Sequence, residues 1–324
     1  MPIEMPVFFG ARLAKWRRIY CAQTLSQLFG NVRRRIARRM LLWRRDGLAL
    51  VFKARNVLTR NAPLRACVGG VVMSIEPESA ASFAIWSGVP SERAELEFIL
   101  RMLQPGVTFL DIGANIGIFS LMAGRKLCGK ASTICAFEPC RSTFSLLERN
   151  LSRNHLTNVR AIRAALSDEI GEAYVSVHTP LSDALHSLEA PIHADEEVAG
   201  REPARMTTLD EFVRKEHMPR VDVIKVDAEG AELRVLKGAR KLLERTDAPL
   251  ILYGGYSRCT AHFHYHPVEI MWLLEEYGYE LFVLDPESRL VRRRTPGETY
   301  DAKIVAVKPA HPHYADVLHR GRNG

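Results

Sequence analysis

Residues 108–117 read Thr-Phe-Leu-Asp-Ile-Gly-Ala-Asn-Ile-Gly, an apolar run that reaches a carboxylate and then a turn with two glycines. A buried strand that passes through such a turn into a helix places the turn at the ligand crevice of a doubly wound sheet. Gly113 and Gly117 let the backbone turn sharply and a ligand come close, while the new helix offers N–H groups without intrahelical partners. The spacing is GxxxG rather than the GxGxxG that suits a pyrophosphate. Asp111 and Asn115 could receive an amino group, and the helix N-terminus a carboxylate, so the chemistry suits a cationic cofactor that carries an amino acid. The alternative is a plain strand-to-helix glycine turn.

Two further segments add ionisable groups. The run at 133–138, Thr-Ile-Cys-Ala-Phe-Glu, ends in Glu138 before Pro139, where a carboxylate could accept both hydroxyls of a ribose. The segment at 221–230, Val-Asp-Val-Ile-Lys-Val-Asp-Ala-Glu-Gly, brings Lys225, Asp227 and Glu229 to one strand end. Three ionisable groups beside a crevice are costly unless paired or functional, and alternation sets them on one side until the strand breaks. A Lys225–Asp227 ion pair that stabilises the turn is the other reading. His262, His264 and His266 alternate before Pro267. Imidazole has the unperturbed pKa best suited to a general base, and the segment's loop character argues against a metal site.

These groups need elements to hold them. Apolar runs at 107–112, 132–137, 159–166, 173–177, 221–226, 250–253, 280–284 and 303–307 predict strands. Helical periodicity predicts helices near 94–103, 116–127, 142–154, 209–215, 231–243 and 267–277. Short apolar strands between amphipathic helices mean a mostly parallel sheet covered on both faces. Residues 179–205 show no element and read as an insertion or lid. The expected domains are a basic helical extension at 1–60, a catalytic domain at 61–310 (lead-in 61–105, core 106–310) and a tail at 311–324.

The net charge of +8 is concentrated near the N-terminus, where Arg33, Arg34, Arg35, Arg38, Arg39, Arg44 and Arg45 interleave with Ile36, Met40, Leu41, Leu42 and Trp43. Such a run at 33–45 could lie on anionic lipid or form a solvated helix, and nucleic acid is the weakest fit. The six cysteines have neither a CxxC pair nor zinc-ligand spacing. With no apolar run of membrane-spanning length and no signal-peptide order, the expected setting is cytoplasmic, with peripheral membrane contact through 33–45.

The ordered set FLDIGANIG, AFEP, NV with ALSD downstream, and IKVDAEGAELRVLKGA resembles the FkbM family of methyltransferases, over roughly residues 71–307. The resemblance implies a Rossmann-like class I methyltransferase fold, with a seven-stranded sheet whose last strand is antiparallel and S-adenosylmethionine (SAM) at its carboxyl edge. It implies that Asp111, Gly113, Asn115 and Gly117 hold the methionine moiety, Glu138 the ribose and Asp168 the adenine side. Relatives often carry an acidic residue where this chain reads Leu252-Tyr-Gly-Gly-Tyr256, which opens the question of an altered pocket or of binding without turnover. The expected function is O-methylation of a hydroxyl on a small molecule or saccharide. Asp227, Glu229, His262 and His264 are the candidate catalytic groups, and no metal is expected. The rivals are a nicotinamide oxidoreductase, disfavoured by the missing GxGxxG, and a non-catalytic SAM-binding scaffold attached through its basic N-terminus.

Overall fold

Strands buried on both faces must pair with one another and be covered by helices, and the alternation in this sequence builds that arrangement. The structure, a computed structural model, describes residues 50–52, 54–60, 64–76, 82–83, 85, 92–178, 198–284, 290–292 and 302–321. Its contacts divide the chain into Met1–Thr59 and Arg60–Gly324. In the first unit the described residues at 50–58 are helical, with Leu50, Val51, Val57 and Leu58 exposed. The basic run at 33–45 lies outside the described residues.

The second unit opens with a hairpin, β1 (Leu64–Val68) and β2 (Val71–Ile75), turned by Gly69 and Gly70. The main sheet holds β3 (Thr108–Ile112), β4 (Thr133–Phe137), β5 (Val159–Ile162), β9 (Val223–Val226), β10 (Leu250–Gly255), β11 (Glu280–Leu284), β12 (Leu290–Arg292) and β13 (Ala302–Val307). Their order is β12-β11-β13-β10-β9-β3-β4-β5. β5, β4, β3, β9 and β10 run parallel, and β13 enters antiparallel between β10 and β11. This is the expected seven-stranded sheet with an antiparallel last strand, and the short β12 adds an eighth at the edge. The core packs Leu110, Ile112, Ile224, Val226 and Ile251 of the strands against Leu233, Leu236, Met271 and Leu274 of the helices.

Several expected elements differ. The strand at 173–177 belongs to a separate three-stranded sheet of β6 (Ala165–Leu166), β7 (Gly171–His178) and β8 (Val198–Thr207), in the order β6-β8-β7. β8 also occupies part of the 179–205 stretch read as lacking an element, while 179–197 lie outside the described residues. Its glycine, proline and charges hid it. β6 reaches only Met206 and Thr207, so Pro203, opposite Tyr174, falls where β8 has one described neighbour, the edge setting a strand proline needs.

The helix expected at 231–243 is two, Glu232–Lys237 and Arg240–Glu244, and they meet at Gly238, where a Cβ would lie 2.0 Å from the Ser167 carbonyl oxygen. The tail expected at 311–324 contains a helix, Tyr314–Gly321. No helix among the described residues is long and apolar enough to cross a membrane.

Candidate active site

Register along the sheet decides which charges meet. Asp111 on β3 pairs with Lys225 on β9, Lys225 with Leu252 on β10, and Gly254 of β10 with Lys303 on β13. All of these lie at the carboxyl end of the parallel strands, where β3 and β9 both break into turns.

The first turn carries Gly113 at φ +73, Asn115 at φ +51 and Gly117 at φ +99. Asparagine tolerates the left-handed region better than most side chains, which suits it to the middle of this turn. Gly113 is needed for a reason the sequence reading did not foresee. A Cβ there would lie 1.9 Å from the Asp227 carbonyl oxygen, so the missing side chain admits the second turn rather than a ligand. The Gly113 and Ala114 N–H groups both donate to the Phe137 carbonyl, at 3.0 and 2.8 Å. The helix that follows, Ile118–Lys126, has no side-chain cap at its N-terminus. Gly113, Asn115 and Ile118 keep partial exposure on this turn.

Asp111 lies beneath it, fully buried. Its Oδ2 accepts from the Ser120 hydroxyl at 2.6 Å, and its Oδ1, without a hydrogen bond, faces the Lys225 ammonium at 3.5 Å. Glu138, just past the end of β4, is 5 % exposed. Its two oxygens accept the N–H groups of Asn115 and Cys140, each at 3.0 Å. The carboxylate is thereby fixed in orientation beside the first turn. Asp168 sits on the surface after β6, accepting the Ser167 hydroxyl at 3.0 Å.

From Asp111 outward, charges alternate. Lys225 stands 3.5 Å from Asp111 and 3.7 Å from Asp227 Oδ2. Asp227 accepts Lys303 at 2.9 Å, and Lys303 lies 3.8 Å from Glu92, the residue just before the helix Arg93–Met102. Burial alone would raise the Asp227 carboxyl, but Lys303 and Lys225 hold it below the usual carboxylate range. Burial works against the charge on Lys303 too, and Asp227 and Glu92 overcome it and raise its pKa. Glu92, buried and beside the Asp227 charge, is pushed up to about 7.

The second turn holds Glu229 at φ +47, a left-handed conformation that costs a non-glycine residue roughly 1–2 kcal/mol. Strain of this kind collects at functional positions. Burial, then the neighbouring charges of Asp227 and Glu232, push the Glu229 carboxyl up to about 8, and the Cys259 thiol donates to it at 3.5 Å. Glu232 braces the turn from below by accepting the Ala228 and Gly230 N–H groups at 2.9 and 3.0 Å. The Tyr265 hydroxyl donates to the Gly230 carbonyl at 2.8 Å.

The histidines are less closely bound to this centre. His264 is exposed at φ +56, and His266 accepts the Val268 N–H at 3.3 Å at the start of the helix Val268–Glu276. The side chain of His262 lies outside the described residues. Tyr253 is fully buried, and Tyr256 is half-buried with its ring 5.7 Å from the Lys303 ammonium.

Sequence reasoning missed Glu92, Ser120, Glu232 and Lys303. Lys303 had a signal, being the lone charge in the otherwise apolar strand Ala-Lys-Ile-Val-Ala-Val. Glu232 had a weaker one, as a carboxylate at a buried helical position of the second motif. Glu92 and Ser120 had none.

The Methyltransferase FkbM domain matches residues 111–281. Methyltransferase 1 of Beauveria bassiana is 28% identical over 181 residues, covering 48% of this chain and 72% of the relative. Hexuronic acid methyltransferase AglP of Haloferax volcanii is 25% identical over 190 residues, covering 59% and 74%. The 31-O-demethyl-FK506 methyltransferase FkbM of Streptomyces tacrolimicus is 41% identical over 69 residues, covering 21% of this chain and 25% of the relative.

Proposed function

This chain belongs to the FkbM methyltransferase family, whose domain matches more than half of it, and from that premise we propose that it O-methylates a hydroxyl of a small molecule or saccharide. SAM is the methyl donor and supplies an activated methyl group on a sulfonium. The donor set fits it. The uncapped N-terminus of the helix Ile118–Lys126 would take the methionine carboxylate, Asn115 its polar end, and Glu138 the ribose hydroxyls, with Asp168 toward the adenine. The observation that carries the reading is the meeting of this cradle with the ionisable second turn across neighbouring strands β3 and β9.

Methyl transfer to a hydroxyl needs an in-line approach and a base for the proton. Asp227, clamped by Lys225 and Lys303 and held as a weak base, serves better as a fixed anionic wall than as a proton acceptor. Glu229, partly exposed and with its carboxyl pushed up to about 8, is the better proton acceptor at mildly alkaline pH, where it is ionised and far more basic than Asp227. For His262 and His264 the same proposal is a contact with the acceptor rather than the role of base. Similarity to a hexuronic acid methyltransferase and to a 31-O-demethyl-FK506 methyltransferase supports a hydroxylated acceptor.

We also propose that the basic run at 33–45 holds the chain at an anionic membrane surface. Its charge supports this, as do the exposed apolar residues Leu50, Val51, Val57 and Leu58 that follow.

The test begins with calorimetric titration by SAM and S-adenosylhomocysteine, then follows labelled methyl transfer onto hexuronic acids and other hydroxylated acceptors. Micromolar binding that Glu138→Ala weakens at least tenfold, with transfer that Glu229→Gln abolishes, is the expected result. Tight SAM binding with no transfer to any acceptor would favour a scaffold. A folded wild type that binds no SAM would sink the proposal.

A further inference from the structure

We propose that Lys225 is the positioning residue of the cofactor cradle: its ammonium ties Asp111 and the Gly113 carbonyl of the first turn to Asp227 of the second, and Asp111 acts through this tie rather than by touching the cofactor. The inference rests on the SAM site proposed above and changes the part Asp111 plays in it. An acidic residue at the end of β3 invites the reading of a direct ligand to the cofactor's amino group. The geometry gives both carboxylate oxygens to the protein's own groups. Asp111 is fully buried, with Oδ2 on the Ser120 hydroxyl at 2.6 Å and Oδ1 toward Lys225 at 3.5 Å.

Lys225 is nearly as buried, with its side chain 6% exposed. It donates to the Gly113 carbonyl at 3.3 Å, lies 3.7 Å from Asp227 and sits 4.8 Å over the ring of Phe119. Phe119 and Ser120 both belong to the first turn of the helix whose uncapped N–H groups face the cofactor site. The pair thus fixes both the glycine turn and the helix start. The backbones agree, since the Asp227 N–H donates to the Ile112 carbonyl at 3.0 Å and Gly113 leaves room for the Asp227 carbonyl. A buried lysine and aspartate are stable only as partners, because removing one strands the other charge. Burial works against the charge on Lys225, but Asp111, Asp227 and Glu92 prevail and raise its pKa.

A double-mutant cycle separates a tie from a contact. Wild type, Asp111→Asn, Lys225→Met and the double variant are compared by thermal unfolding without ligand and by SAM calorimetry. Each single variant should lower the unfolding midpoint and weaken SAM at least tenfold. The double should exceed both singles in midpoint and in affinity, since no stranded charge remains. Wild-type affinity in Lys225→Met, losses that multiply in the double, or a double no better than Asp111→Asn would each overturn the proposal. The last outcome is the one direct contact by Asp111 produces. If Lys225→Met does not fold while the double does, the coupling is shown. If neither folds, Lys225→Arg decides: weakened SAM binding supports the tie, and unchanged binding overturns it. A wild type that binds no SAM defeats the proposed function instead, and the ligand-free unfolding cycle then decides the tie alone.

Discussion

Glu229 is the proton acceptor proposed for the crevice. In the folded chain its carboxyl is pushed up to about 8, by burial and then by the charges of Asp227 and Glu232, from an ordinary value of 4.5. Between those values the unfolded chain releases its proton while the folded chain keeps it. The folded state therefore loses stability as pH rises through the window, and the favourable contribution is complete only below about pH 4.5. Glu229→Gln removes this dependence. Relative to wild type, the variant's urea midpoint should rise steadily from pH 5 to pH 8, and a constant difference would show that the carboxyl titrates normally. Lys303 makes the opposite kind of contribution, since it supplies the charge that Asp227 needs. Lys303→Met should cost about 3–5 kcal/mol, the range for breaking a buried ion pair by removing one partner. Adding Asp227→Asn should recover part of it, as read by denaturant unfolding. Asp111, Glu138, Asp227 and Glu229 were legible because each lies at or just past the end of an apolar strand in a recognisable order. Lys303 and Glu92 were not, because their roles depend on register across the sheet and on a helix 135 residues upstream of Asp227.

At the scale of elements, two glycines set the path of the chain by what they leave room for. Gly238 has an ordinary backbone conformation, but its Cβ would lie 2.0 Å from the Ser167 carbonyl oxygen. Gly238→Ala should therefore destabilise by about 1–3 kcal/mol through overpacking, a loss that urea unfolding would detect. Periodicity read this region as one helix because Leu233, Leu236, Leu242 and Leu243 keep an apolar face on either side of the break. Nothing local announces the carbonyl that approaches from 71 residues away in sequence. Gly113 carries a second penalty, since its φ of +73 is itself unfavourable for alanine. Gly113→Ala would drive the Asp227 turn away from the first turn, so SAM affinity should fall at least tenfold while the far sheet edge keeps its fold. Full affinity in that variant would separate the two turns functionally. The strand β8 escaped detection for the reverse reason. Its Gly200 and Pro203 are turn-like types and its arginines break the apolar pattern, and pairing along the long antiparallel β7 makes the segment a strand.

The whole molecule shows where the sequence argument reached and where it stopped. The alternation of strands and helices implied the parallel sheet, and the family resemblance implied an antiparallel last strand; its insertion between β10 and β11 is what the structure adds. The division at Thr59 and Arg60 makes the proposed membrane role separable from the proposed chemistry. The cradle, the ionisable second turn and the charge chain from Asp111 to Glu92 all lie after Arg60. The arginine run at 33–45 and the apolar Leu50, Val51, Val57 and Leu58 all lie before it. A chain beginning at Arg60 should therefore unfold cooperatively and bind SAM within about twofold of full length, since it retains every group placed at the cofactor. It should also lose co-flotation with vesicles rich in phosphatidylglycerol, which full length should show at low salt and lose as salt screens the arginines. Equal flotation of both chains would move lipid contact to the catalytic unit, and flotation by neither would remove the membrane from the proposal. A truncated chain that floats poorly but also fails to bind SAM would show that residues before Arg60 support the cradle.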